Sequence, residues 1–371
     1  PDASQSAAPT VPPASRTAAA ALVTSSAVSA VSVGPPISVR ILSIIPQSVS
    51  STPMEGKPEQ PVLIVAGPTA SGKSALALAV AEEFGGVVIN ADSMQVYADL
   101  RVLTARPSPA DEARVPHRLY GVLPVTDICS AARWRELAID AIGETHAAGQ
   151  LPILCGGTGL YLRALMQGLS PIPEIPEAVR QDIRDRLMRE GAAAQYDRLR
   201  ESDPDTAARL EPGDRQRVAR ALEVLAATGR PLSEWQKVPP EGPPPGLRFK
   251  TIILEPPRDL LYAACDDRLL AMVRAGALEE VEALRQEGFD PSFPAMRALG
   301  APAFLRHQAG ELGLEEAIEE AQQATRRYAK RQTTWFRHQI VSDFLVNAQY
   351  SKKFDPIIFS FIRQNLLTRP M

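Results

Sequence analysis

The residues Gly67, Pro68, Thr69, Ala70, Ser71, Gly72, Lys73 and Ser74 combine two glycines, a lysine and a hydroxyl at the spacing Gly-x-x-x-x-Gly-Lys-Ser. That combination grips phosphate. The glycines let successive backbone N–H groups turn inward against phosphate oxygens. The lysine adds a point charge, and the serine hydroxyl can enter the shell of a Mg2+ ion. Such a loop binds a phosphate chain without deciding which bond breaks. Phosphoryl transfer from ATP also wants a carboxylate at the end of a second buried strand, to order Mg2+ or water. Here "LPILCGGTGLY" runs into Gly-Gly-Thr and carries no acid. The acid that does end a strand is Asp92, in "VVINADSMQVY". Ser93 and Gln95 follow it, and both side chains can read a base edge. A carboxylate in such a place suits acceptance of a proton from a nucleophile better than activation of water.

These groups need rigid elements to place them. Residues 62–66 read as a buried parallel strand ahead of the loop, and 74–84 as the helix after it. "GGVVIN", ending at Asn90, is a second strand, 131–148 a helix, "LPILCGG" a third strand and 159–168 another helix. Strands alternating with helices imply a parallel, doubly wound sheet. The expected fold class is α/β, a P-loop NTPase-like parallel sheet flanked by helices, with a helical insertion domain. The insertion spans 174–238, where "PEAVRQDIRDRLMREG" and "GDRQRVARALEVLAATGR" are charged and amphipathic. The Pro-rich connector "KVPPEGPPPG" then leads to "LRFKTIILEPP", one more buried strand, and 258–339 is mostly helical. The core is thus expected over 61–173 and 239–340. Residues 341–371 carry no readable motif and are expected to form a C-terminal tail.

Composition narrows the class. The chain has 371 residues, enough for one large domain or two modest ones. Its formal net charge is -3, so a nucleic-acid partner must be held by a local patch. Cys129, Cys155 and Cys265 lie far apart and suggest neither a zinc site nor a disulfide framework. No apolar run is long enough to span a membrane. Between Asp2 and Glu55 the charged residues are Arg16 and Arg40. Residues 1–60 therefore read as a disordered low-complexity tail or an over-long translation start. Scarce acids and plentiful serine also suit a transit peptide, but arginine is equally scarce, so a cytoplasmic protein is expected.

With these residues in view, the chain resembles the tRNA dimethylallyltransferase (tRNA isopentenyltransferase) family. The resemblance rests on "GPTASGKS", "INADSMQVY", "VPHRLYG", "PILCGGTGLYLRAL", "RQRVARALEVLAATG" and "TRRYAKRQTTWFRHQ", in the family's order over about residues 61 to 339. It implies transfer of a dimethylallyl group from dimethylallyl diphosphate to the exocyclic amine of an adenine beside the tRNA anticodon. The phosphate loop then holds the donor's diphosphate, with Mg2+ on Ser74, and nothing is phosphorylated. By the same resemblance Asp92 is the catalytic base, Arg268 lies near the diphosphate and Thr158 near the target adenine. A threonine after Gly-Gly is also a good helix N-cap. Implied tRNA contacts are Asp92, Ser93, Met94, Gln95, Thr158, Gln216, Arg217, Val218, Ala219 and Arg220, and Arg180 is a further candidate from the insertion. The partners are a tRNA anticodon stem-loop and dimethylallyl diphosphate, and a monomer is expected. The sequence departs from the family pattern at "ALGAPAF", 298–304, where a Gly-Tyr-Lys-like stretch is usual, and at "ICSA" near Cys129.

Two other residue patterns bear on nucleic acid. Arg217 and Arg220 share a helix face at i, i+3. In "TRRYAKRQTTWFRHQ", Arg326, Arg327, Lys330, Arg331 and Arg337 interleave with Tyr328, Trp335 and Phe336. Buried aromatics with cations turned to RNA are the expected arrangement. Two competing readings use the same loop. One is a small-molecule kinase working with ATP; the other is a nucleotide-dependent RNA-binding protein without chemistry. The acid-free "GGTG" strand end argues against the first, and Asp92 against the second.

Overall fold

An unbroken run of buried Val62, Leu63, Ile64, Val65 and Ala66 leaves no face for water, as a strand covered on both sides requires. In the computed structural model this strand is central. The structure describes residues 28–32, 38–42, 59–290 and 293–368, the first two stretches as backbone alone. Its strands are β1 (Val28–Ser32), β2 (Ser38–Leu42), β3 (Gln60–Ala66), β4 (Gly86–Asn90), β5 (His117–Arg118), β6 (Leu151–Gly156), β7 (Leu247–Leu254) and β8 (Phe344–Val346). They form one sheet in the order β1-β2-β8-β7-β3-β6-β4-β5. From β8 to β5 every pairing is parallel. The hairpin β1–β2 is antiparallel and joins the edge at β8.

Register sets the site. Ala66 lies level with Gly156 of β6 and Ile253 of β7, and Asn90 with Cys155. The carboxyl ends of β3, β4 and β6 therefore open side by side, where parallel sheets bind ligands.

Helices cover both faces. On one, α1 (Lys73–Phe84) sits over a core shared with the chain's end, including Leu76, Val80, Phe344, Phe354, Ile358 and Phe361. A short helix, α2 (Pro109–Arg114), begins with a Ser108/Asp111 capping box. On the other face, α3 (Ala131–Ala147) and α4 (Gly159–Gln167) pack with the later helices around Trp134, Tyr161 and Phe304. The charged middle of the chain folds as α5 (Glu177–Ser202), α6 (Pro204–Ala207), α7 (Arg215–Thr228) and α8 (Leu232–Lys237). Gly191, at φ 83°, kinks α5. These helices share a small core of their own, built on Ile183, Leu199, Val218 and Leu222. After β7 come α9 (Arg258–Arg274), α10 (Ala277–Gln286), α11 (Ala301–Gln308) and α12 (Leu314–Gln339). The chain ends in α13 (Asp355–Ile362) and a short π-helical turn.

Two expectations change. Residues 341–368 are part of the core: β8 extends the sheet, and Phe344, Phe354 and Ile362 are fully or almost fully buried. Within the stretch expected to be a disordered tail, β1 and β2 are strands, while the rest of 1–58 lies outside the described residues. Among the described residues no helix is long and apolar enough to cross a membrane.

Candidate active site

The chain leaves β3 at Ala66 and enters α1 at Lys73, so the loop is six residues of turn between fixed ends. Gly72 adopts φ 89°, and a Cβ there would lie 2.9 Å from the Cβ of Tyr350. Ala70 is also left-handed, at φ 61°. For a residue with a Cβ that conformation costs about 1–2 kcal/mol. Lys73 is buried and its ammonium donates to Pro68 O at 3.3 Å. Burial pushes its pKa below the ordinary lysine value, and the Arg268 guanidinium adds to the effect. Arg268, from α9, donates to Thr69 Oγ1 at 3.1 Å. Its own pKa is lowered by burial, against the pull of Asp92. Ser71 Oγ is buried without a hydrogen-bond partner. Two desolvated cations and an orphaned hydroxyl in one glycine-bounded turn make a place chemically suited to an anion.

Asp92 is placed by Asn90, the last residue of β4. The Asn90 amide nitrogen donates to Asp92 O at 2.9 Å and to Leu119 O at 3.1 Å, and its Oδ1 accepts from Asp92 N at 2.8 Å. Trp134 Nε1 donates to Asn90 O at 2.9 Å. One carboxylate oxygen of Asp92 accepts the Met94 N–H at 2.9 Å. This frame turns the carboxylate into a cavity of about 280 Å³.

The cavity joins the predicted groups. Thr69, Lys73, Ser74, Asp92, Ser93, Met94, Gln95 and Arg268 all line it. Asp92 is the one carboxylate among its described lining residues. Leu103, Leu269, Met272, Ala298 and Leu299 form apolar wall, and Arg297, Tyr328 and Arg331 also line the cavity. Thr158 stands behind this wall. Its hydroxyl accepts the Ser93 N–H at 2.9 Å and makes no cap on α4. The Gln95 amide nitrogen is spent on Thr104 O and Ala105 O, both at 2.9 Å.

The sequence reading missed the residue that ties the two loops together. Gln332 of α12 accepts the Thr69 N–H at 2.8 Å and donates to Gly157 O at 2.9 Å. A Cβ at Gly157 would sit 2.2 Å from the Gln332 amide nitrogen, so the Gly-Gly turn is a packing requirement. Tyr328 stands near Thr158 and Gln332, and burial raises its pKa. Arg331 lies 5.6 Å from the Tyr328 ring. In the same helix Phe336 is buried, and Arg327 and Lys330 are exposed. Arg326 is half-buried and pairs with Asp266 at 2.6 Å, whereas Arg337 is exposed and pairs with Glu255 at 2.5 Å.

None of the insertion residues lines the cavity. Gln216, Arg217 and Arg220 are exposed along α7. Arg217 makes a long contact with Asp214, 3.4 Å, and keeps 72% of its side-chain surface. Arg220 lies 3.7 Å from Glu223, and the half-buried Arg180 lies 3.6 Å from Glu177. Val218 and Ala219 correct the expectation of tRNA contact. Their side chains point into the insertion's own core, 1% and 9% exposed.

Comparison with known proteins agrees with this geometry. Residues 95–339 match the family model described as IPP transferase. The chain is 58% identical over 297 residues to the tRNA dimethylallyltransferase of Rhodospirillum centenum, covering 80% of this chain and 92% of that one. It is 54% identical over 310 residues to that of Paramagnetospirillum magneticum, covering 84% and 98%. Among solved structures, the tRNA isopentenylpyrophosphate transferase of Bacillus halodurans is 32% identical with a TM-score of 0.60, over 82% of this chain and 96% of that one. A eukaryotic dimethylallyltransferase acting on tRNA is 27% identical with a TM-score of 0.68, over 82% and 79%. With a phosphate loop and a lone carboxylate facing one cavity, and relatives at this identity over most of their length, the chain belongs to the IPP transferase family.

Proposed function

We propose that this chain transfers a dimethylallyl group from dimethylallyl diphosphate to the exocyclic N6 amine of the adenine 3′-adjacent to the anticodon in tRNA, releasing diphosphate. The observation that carries this reading is the shared cavity. A cationic anion-binding end, an apolar wall and the single carboxylate Asp92 face one another across about 280 Å³.

The donor's diphosphate rests on the loop amides from Gly72 to Ser74, with Lys73 and Arg268 against its oxygens. The dimethylallyl chain lies along Met94, Leu269 and Met272. The adenine leaves its stack to enter, which costs a few kcal/mol and least in a loop. Its N6 lone pair forms the new C–N bond as the C1–O bond breaks, and that electron pair departs on the diphosphate. Negative charge then grows where Lys73 and Arg268 already stand, so their contacts strengthen in the transition state. The adenine amine is a poor nucleophile, and Asp92 takes the proton it sheds. Thr158 holds the Ser93 amide and so the turn that carries Asp92.

Among the described residues no cluster of His, Cys, Asp or Glu could hold a metal alone. The exposed Ser74 hydroxyl at the cavity supplies one hard oxygen, which suits a magnesium ion whose other ligands are donor oxygens and water. Such an ion, when bound, offsets the diphosphate charge. The insertion, 174–238, receives the anticodon stem-loop on the Arg217–Arg220 face of α7. One chain supplies the cavity, so a monomer suffices, and the cytoplasm is the expected compartment. A kinase has less support, because β6 ends in Gly156-Gly157-Thr158 without an acid.

The test is incubation with unmodified tRNA and dimethylallyl diphosphate, followed by mass spectrometry of the digested nucleosides. Prenylated adenosine is expected. Asp92→Ala should lower turnover by about 10²–10⁴-fold while tRNA affinity stays within a few-fold. ATP turnover without prenylation would turn the assignment to the kinase, and full turnover in the variant would remove Asp92 from the mechanism.

A further inference from the structure

An anion nest turns its N–H groups inward, so its carbonyls face outward and need donors elsewhere. Two of those carbonyls find donors at the far end of the chain, just after β8. Gln349 Nε2 donates to Ala70 O at 2.9 Å, across 279 residues. The Tyr350 N–H donates to Ser71 O at 3.1 Å. Tyr350 is itself held, its hydroxyl donating to Asp355 Oδ1 at 2.6 Å, and its Cβ sits where a side chain at Gly72 would be. Ala70 is the residue in this loop that has a Cβ and yet stands at φ 61°. A strained alanine persists only where its surroundings hold it.

We propose that Gln349 is a positioning residue for the donor site. By holding the Ala70 carbonyl it keeps Ala70 left-handed, and so keeps the Gly72 and Lys73 amides aimed at the diphosphate. The inference rests on the diphosphate reading of the loop. It assigns a role to a residue beyond the span matched by the family model, which ends at residue 339.

The test measures binding of inorganic pyrophosphate, with magnesium present, by calorimetry on the full chain. Gln349→Ala is expected to weaken binding about five- to tenfold, the effect of one partly shielded hydrogen bond. It should raise KM for dimethylallyl diphosphate by a similar factor and leave KM for tRNA unchanged. Ala70→Gly supplies the second variant, because glycine takes φ 61° without steric cost. Measured against Ala70→Gly alone, whatever its own affinity, adding Gln349→Ala should cost about twofold or less. Unchanged pyrophosphate affinity in Gln349→Ala would overturn the proposal. So would an equal loss with and without Ala70→Gly, since Gln349 would then act through something other than that backbone strain. Prenyl transfer is read separately. A protein that binds pyrophosphate but never prenylates tRNA sinks the functional reading and not this one. A transferase whose Gln349→Ala variant binds pyrophosphate normally does the reverse.

Discussion

Lys73 carries a positive charge into a place from which water is excluded, beside a second buried cation, Arg268. The fold disfavours the charged form, so its pKa lies below 10.5. The sign follows. Between the lowered folded value and 10.5 the unfolded chain binds the proton and the folded one does not, so stability from this group rises with pH across that window. At neutral pH the charge is a cost to the empty protein, and its return comes only when an anion arrives. Lys73→Met should therefore leave the melting temperature of the ligand-free protein unchanged or raise it by a few degrees. The same variant should lose most of the rise in melting temperature that pyrophosphate gives the wild type. A ligand-free protein that melts several degrees lower, with its pyrophosphate response intact, would make Lys73 a structural residue.

At the scale of elements, what the sequence reveals depends on how far apart the cooperating residues lie. The β3–loop–α1 unit and the β4 end with Asp92 are each local, and both were legible from glycine spacing and an apolar run. Gln332 was not, because its partner Thr69 is 263 residues away and nothing in "AKRQTT" marks one glutamine for two loops. The end of the chain did carry a signal that went unread. Phe344 and Val346 alternate as in a strand, and Ile357, Ile358, Phe361 and Ile362 recur as on one helix face. For the insertion, the motif named five consecutive residues as tRNA contacts. A helix with 3.6 residues per turn cannot present all five to one partner. Val218 and Ala219 turn inward, and Gln216, Arg217 and Arg220 turn out. The geometry separates the two groups in experiment. Arg217→Ala should weaken tRNA binding modestly and reduce the slope of log affinity against log salt by about one. Val218→Asp should unfold the insertion and abolish tRNA binding while pyrophosphate binding persists, since the cavity takes no residue from α7. An unchanged salt slope in Arg217→Ala would remove that contact from the interface.

For the molecule as a whole, the sheet divides the protein into two apolar layers, and the far end of the chain completes one of them. α1 alone would leave its layer half covered. The missing half is Phe344, Val346, Phe354, Ile358, Phe361 and Ile362, all buried. At about 1.5–3 kcal/mol per side chain, their burial is worth on the order of 10 kcal/mol. That rivals the whole stability of an ordinary domain, about 5–15 kcal/mol. The same segment bonds to the backbone of the phosphate loop, so folding and donor binding share one support. A chain ending at Gln339 keeps every residue that the family model matches. It should nonetheless fail to fold, appearing in the insoluble fraction or without a cooperative thermal transition. A milder variant makes the argument quantitative: Phe354→Ala should cost about 3–5 kcal/mol in urea unfolding, the usual loss for a large buried aromatic. Recovery of a folded, pyrophosphate-binding protein from the chain ending at Gln339 would show that β8 and α13 are dispensable cover, and that the phosphate loop holds its shape without them.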